Sequence, residues 1–221
     1  MTLKFKSVFI LLVALGLNCT FLGSGVAQMT VAGGANATAL AQALAGPGIT
    51  VSNAVLTGSP AAAGTFANGG NIGMNTGILL CTGPVTIAPG PNNSGSAGQD
   101  NGQPGNALLN GLAGANTFNA VVLEFDFVPL SNTIEFDYVF GSEEYPEFVN
   151  SGFNDAFGFF ISGPGIVGQP NIARVPGTAL PVTIDNINAG SFNQHYVNNA
   201  GGTSVQYDAF TTVLTAQSVV Q

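Results

Sequence analysis

The sequence predicts an all-β domain, an antiparallel β-sandwich or jelly-roll-like fold with one short helix near its N-terminus. Two strict alternations of apolar and acidic residues between 121 and 140 are the first reason. The second is punctuation: 31 Gly and 12 Pro break the chain into short apolar runs separated by turn residues. The third is that helix and strand patterns do not alternate, so a parallel sheet has no support. A chain of 221 residues suits one moderate domain.

The elements follow in order. Residues 1–27 read as a signal peptide, with Lys4 and Lys6 as its positive n-region and an apolar core from Val8 to Leu17. The small residues Gly23-Ser24-Gly25-Val26-Ala27 end it before Gln28. Its apolar core falls short of the roughly 20 residues a bilayer span needs, which argues against an anchor. Residues 28–221 then form a single β domain. Residues 36–45 are its helix, with Asn36 as cap, Leu40 and Leu44 on one face, and Gly46-Pro47-Gly48 as stop. Strands are expected at 49–57 and 77–82, and residues 88–119, rich in Gly, Asn, Pro and Ser, as a long ordered loop.

The alternation at 121–140 sets Val121, Leu123, Phe125 and Phe127 on one face against Glu124 and Asp126, then Ile134, Phe136, Tyr138 and Phe140 against Glu135 and Asp137. With Pro129-Leu130-Ser131-Asn132 between them, the two runs predict an antiparallel hairpin with one buried face. Further strands are expected at 156–162, 171–175, 181–187, 203–208 and 211–220.

Charge excludes several functions. Only 6% of residues are charged, and removal of the leader leaves Arg174 alone against eleven carboxylates. Such a surface repels nucleic-acid phosphate and has no counterions to release, so no nucleic-acid partner is expected. The mature chain carries no transmembrane segment by pattern. Cleavage after Ala27 leaves Cys81 as its one cysteine, read as a small buried hydrophobe or as the half of a disulfide made outside this chain.

Four carboxylates crowd into thirteen positions: Glu143, Glu144, Glu147 and Asp155, with Ser142, Asn150, Ser151 and Asn154 among them. No cation lies nearby in sequence. Crowded carboxylates raise one another's pKa or recruit a metal, and calcium takes six to eight oxygens of just these types. Glu143, Glu144 and Asp155 are the expected ligands, with Asn154 and Glu147 next, and Phe140, Tyr145, Phe148, Phe153, Phe157 and Phe159 pin the segment to the core. A solvated acidic loop fits the same composition.

No catalytic residues can be assigned. Glu143 and Glu144 are adjacent and on an extended strand point to opposite faces, which suits a glycosidase pair poorly. His195 has no Gly-x-Ser-x-Gly partner, and the Gly95–Gly105 stretch lacks the Lys-Ser/Thr of a phosphate loop.

The words Asn71-Ile-Gly-Met-Asn-Thr-Gly-Ile78, Gly90-Pro-Asn-Asn-Ser-Gly-Ser-Ala-Gly98, Phe136-Asp-Tyr-Val-Phe-Gly-Ser-Glu-Glu-Tyr145, Phe153-Asn-Asp-Ala-Phe-Gly-Phe-Phe160 and Tyr207-Asp-Ala-Phe-Thr-Thr-Val-Leu-Thr215 carry a resemblance. The chain resembles the bacterial choice-of-anchor L domain over nearly all of 36–221. That resemblance implies a β-rich, secreted or cell-surface module, adhesive or structural rather than enzymatic, with surface glycans or other surface proteins as partners. A carbohydrate-binding module is the alternative, and a glycoside hydrolase a more distant one. Family members continue past this point, so the resemblance also implies a C-terminally truncated domain. A closing strand, further carboxylates, a cysteine for Cys81 and any anchoring signal would then lie beyond Gln221.

Overall fold

The structure, a computed structural model, describes residues 28–220 together with the backbone of residues 3–8. The apolar core and cleavage region of the predicted leader fall outside the described residues. The described residues contain thirteen strands and two α-helices: β1 (Leu3–Val8), β2 (Thr30–Gly33), α1 (Ala37–Ala45), β3 (Thr50–Thr57), β4 (Ala63–Ala67), β5 (Thr76–Leu80), α2 (Ala107–Ala113), β6 (Val122–Val128), β7 (Thr133–Tyr138), β8 (Gly141–Ser142), β9 (Ala156–Ser162), β10 (Val182–Thr183), β11 (Tyr196–Asn198), β12 (Ala209–Thr211) and β13 (Leu214–Val219). The all-β class holds.

One layer is a five-stranded sheet in the order β10-β9-β1-β6-β3. The facing layer contains β13-β7 and β11-β12-β8. These two short sheets are one surface broken by a bulge, because Leu214 pairs with Tyr138 while Phe210 pairs with Gly141, so the offset changes by one residue between them. Thr211 closes the gap, its amide donating to the Phe140 carbonyl (2.7 Å) and its hydroxyl accepting from the Phe140 amide (3.1 Å). A third sheet among the described residues is β2-β4-β5. The two layers meet through aromatic rings: Phe136 stacks on Phe159 at 5.0 Å, and Tyr138 packs on Phe157 at 4.6 Å.

β6 and β7 are strands where the alternation places them, but they do not form the expected hairpin. β6 pairs with β1 and β3, whereas β7 pairs with β13 in the opposite layer. The Pro129–Asn132 turn therefore crosses from one sheet to the other. Alternation tells which face of a strand is apolar, and both strands do turn Phe125, Phe127, Phe136 and Tyr138 inward. It does not tell which neighbour supplies the ladder.

The helix at 37–45 forms as expected, with Asn36 Oδ1 accepting from the Ala39 amide at 2.8 Å and Leu40, Ala41 and Leu44 buried. A second helix, α2, lies inside the expected loop. Asn106 Oδ1 caps it by accepting from the Leu108 and Leu109 amides, and Gly114, at φ 71°, ends it in the left-handed conformation. The helix packs on β9, where a Cβ on Gly158 would come within 2.9 Å of Leu112. A larger residue at that strand position would push aside the ends of the Leu112 and Phe160 side chains.

Two of the expected strands dissolve into side-chain-capped turns. At 171–175 only isolated bridges form, since Asn171 Oδ1 accepts from the Phe159 and Ala173 amides and its amide nitrogen donates to the Ala173 carbonyl. At 203–208 Asn199 does the same work, donating to the Val205 and Tyr207 carbonyls. An asparagine amide substitutes for a neighbouring strand at both places. The strand expected at 181–187 shrinks to β10, and that at 211–220 forms as β13, with β12 running ahead of it from Ala209 to Thr211.

Candidate functional site

The acidic segment connects β8 to β9, so it crosses between the layers at one end of the sandwich. Tyr145 anchors it: the ring is fully buried, its hydroxyl donates to the Ile187 carbonyl, and it meets Tyr196 edge-on at 5.3 Å. Beyond Tyr145 the chain winds through successive turns, with the Phe148 amide donating to the Glu144 carbonyl (3.0 Å) and the Ser151 amide to the Phe148 carbonyl (3.0 Å). This winding carries Glu147 outward to solvent. Phe140, Tyr145, Phe157 and Phe159 are buried as expected, but Phe148 and Phe153 are 40% and 63% exposed and pack on each other instead of on the core.

Glu143, Glu144 and Asp155 line one cleft of about 130 Å³, together with Cys81, Ser142, Gln206 and Tyr207. Ser142 organises them. Its hydroxyl donates to Asp155 Oδ2 at 2.7 Å and accepts from the Glu144 amide at 2.9 Å. Burial pushes Asp155 above the usual carboxylate range against the pull of that hydrogen bond. Glu144 is raised by burial first, then by the charges of Asp155 and Glu147. Asn154 turns away from the cluster, its amide nitrogen donating to the Ala113 carbonyl (3.0 Å) and its oxygen accepting from the Asp185 amide (3.3 Å).

The Gly90–Gly98 word reaches this cleft at Ala97 and Gly98, and it is strapped down. The Gly90 amide donates to the Ser204 carbonyl (3.0 Å), the Asn92 amide to the Gly202 carbonyl (2.8 Å), and Gln206 Nε2 to the Ser94 carbonyl (2.9 Å). Two carboxylates tie the strap from below. The Ala97 amide donates to Glu143 Oε2 (3.2 Å), and Asn92 Nδ2 donates to Asp208 Oδ1 (3.0 Å). In each case the sister oxygen, Glu143 Oε1 or Asp208 Oδ2, is buried without a hydrogen-bond partner. Burial raises Glu143 to about 7, and the charges of Asp208 and Glu144 push the same way. Sequence reading missed Asp208, which stands far along the chain from the acidic run. Its only signal was its place in the Tyr207-Asp-Ala-Phe word.

Beneath the cluster, Tyr207 packs flat against Gly141, where a Cβ would meet the ring at 3.1 Å. Its hydroxyl lies 3.2 Å from Cys81 Sγ, and burial pushes the thiol up to about 12. Cys81 is thus a buried, free thiol inside the fold.

Among the described residues, no three His, Cys, Asp or Glu side chains converge as a metal-binding group. The site is instead a set of paired carboxylates around a strap, with hydroxyl, amide and backbone oxygens between them.

The choice-of-anchor L domain model matches residues 30–221. The chain belongs to the choice-of-anchor L domain family. Among curated proteins and solved structures, none matches it. A choice-of-anchor L domain is a surface structural domain, and it implies an exported cell-surface protein. No helix among the described residues is long and apolar enough to cross a membrane. In this choice-of-anchor L domain the strap, the acidic segment and the start of β12 come together although they are remote in sequence.

Proposed function

We propose that this domain is a non-enzymatic structural or adhesive module of the bacterial cell surface, and that calcium at the β8–β9 segment locks its strap in place. The observation that carries the calcium is the pair of buried oxygens, Glu143 Oε1 and Asp208 Oδ2, each left without a donor while its sister oxygen holds the strap. Two buried acceptors bearing like charge favour a hard cation over any neutral donor. Glu144 and Asp155 border the cleft that Glu143 lines, and backbone carbonyls and water supply the remaining oxygens a calcium ion takes. Asn154 and Glu147 stand further out, as neighbours of the site.

A non-enzymatic role is supported by the size and chemistry of the cleft. At about 130 Å³ it is smaller than the roughly 300–1,000 Å³ of ligand pockets. Its one thiol, pushed up to about 12, is no nucleophile near neutrality. The deciding experiment is a thermal melt of the purified protein in excess calcium and in excess chelator. Calcium raises the melting temperature by mass action if it binds the folded state. Superimposable curves would leave the cluster a solvated acidic loop.

A second reading, carbohydrate binding, rests on a neighbouring cleft of about 340 Å³ lined by Asn116, Thr117, Asn119 and Asn154, with Phe118 and Phe153 at its wall. Those two rings are 70% and 63% exposed, available to stack on a sugar. A glycan array with and without chelator separates the readings. Sugar-specific signal that chelation removes favours the lectin-like one, and a blank array favours the structural module.

A further inference from the structure

The cleft of about 340 Å³ beside the strap has room for a sugar-sized molecule. Two exposed phenyl rings from separate segments, Phe118 and Phe153, stand in its wall. Both are braced. On either side of Phe118, the Thr117 amide donates to Asn110 Oδ1 (2.7 Å) and the Asn119 amide to the Gln103 carbonyl (2.9 Å). Phe153 rests edge-on against Phe148 at 5.3 Å. Apolar rings ordered in advance and kept in water are surface ready for a ligand.

The rest of the lining decides which ligand. Its neutral polar groups are largely spent on the fold. The Thr117 hydroxyl donates to Asn110 Oδ1 and accepts from the Asn106 amide, and Asn119 Oδ1 accepts from the Gln103 amide. Asn154 is tied to Ala113 and Asp185. What stays open is negative charge. Glu144 and Asp155 both line the cleft, with no Lys, Arg or His among its lining residues. The half-buried Glu144 carboxylate accepts no hydrogen bond among the described residues, and the charge of Asp155 opposes its own. A neutral sugar leaves that charge unmatched. An ammonium group supplies donors, a counter-charge and a cation for the phenyl faces. We propose that this cleft binds a glycan bearing free amino groups, with its sugar faces on Phe118 and Phe153 and an ammonium at Glu144 and Asp155. This rests on the carbohydrate reading and names the class of sugar.

The test is calorimetric titration of the purified protein at neutral pH. The probes are the trisaccharide of β-1,4-linked glucosamine, its fully N-acetylated form and trilysine. Acetylation removes the charge and keeps the sugar, and trilysine keeps the charge without the sugar. Each probe is run in excess calcium and in calcium-stripped buffer, and the preference is scored wherever a sugar binds. Saturable binding of the amino trisaccharide, about tenfold tighter than of either other probe, is the expected result. Glu144→Gln removes that preference and leaves the weaker binding of the acetylated sugar in place. Equal binding of the two sugars overturns the ammonium site and leaves the carbohydrate reading standing. Trilysine that binds as tightly as the amino sugar overturns the glycan, leaving only the attraction of an acidic surface for cations. Binding of neither sugar overturns the proposal and the carbohydrate reading together. A preference that survives in Glu144→Gln overturns the assignment of the amine to this cleft. Phe118→Ala, on the exposed wall, weakens both sugars alike, and unchanged binding there overturns the site even where the Glu144 variant fails to fold.

Discussion

Glu143 faces opposite demands at its two oxygens. One accepts from the Ala97 amide, which favours the charged form, and the other is buried with no donor, which disfavours it. Burial and the charge of Asp208 win, so the group rises to about 7. Glu143→Gln keeps the shape and removes the repulsion. It is expected to raise the melting temperature of calcium-free protein and to abolish the calcium-induced rise, both read by calorimetry. A variant that still responds fully to calcium would remove Glu143 from the ligand set. Cys81 gives a second check on this region. A buried thiol pushed up to about 12 beside Tyr207 stays unlabelled by iodoacetamide at pH 8 in native protein and reacts only after denaturation. Rapid labelling of the native protein would show that the strap opens.

At the scale of elements, both helices start on an asparagine cap. α2 depends on its cap, and Asn106→Ala, which frees the Leu108 and Leu109 amides, is expected to cost about 1 kcal/mol in chemical denaturation. By contrast, Phe157→Ala in β9 empties the space between the layers beneath Tyr138 and is expected to cost about 3–5 kcal/mol. A small loss at Phe157 would mean that the layers pack through other contacts. The same elements show what could be read from the chain beforehand. α1 was legible because cap, apolar spacing and stop coincide. α2 has Asn106, Leu108, Leu109, Leu112 and Gly114 in equally good order, but they sit among glycines and asparagines that read as loop. β6 and β7 were legible as strands and not as partners, since a four-residue turn serves a hairpin and a crossing between sheets alike. Of the site, Glu143, Glu144 and Asp155 were legible through crowding. Asp208 and the strap were not, because bulge and register bring them in.

For the whole molecule, three carboxylates at one end of the sandwich make stability depend on pH. Glu143, Glu144 and Asp155 are all raised in the fold, with burial the first cause of each. A raised carboxyl prefers its protonated form when folded. Its contribution is therefore fully present below the unfolded value and is lost as pH rises through the folded one. For Glu143 that window runs from 4.5 to about 7. Calcium-free protein is thus expected to lose stability across this interval, although acidic surfaces carrying a formal charge of −8 repel themselves more as pH rises and add to the fall. Calcium reverses the sign, since it binds only the ionised carboxylates and its affinity increases as they deprotonate. Melting temperatures taken from pH 4.5 to 8 should therefore descend in calcium-stripped buffer and converge with the calcium curve at the acid end, where the protonated site holds no ion. Self-repulsion of the surface persists in both buffers at equal ionic strength, so it cannot generate that divergence. Two parallel curves would mean that the carboxylates titrate without a metal, and the strap would then owe its closure to hydrogen bonds alone.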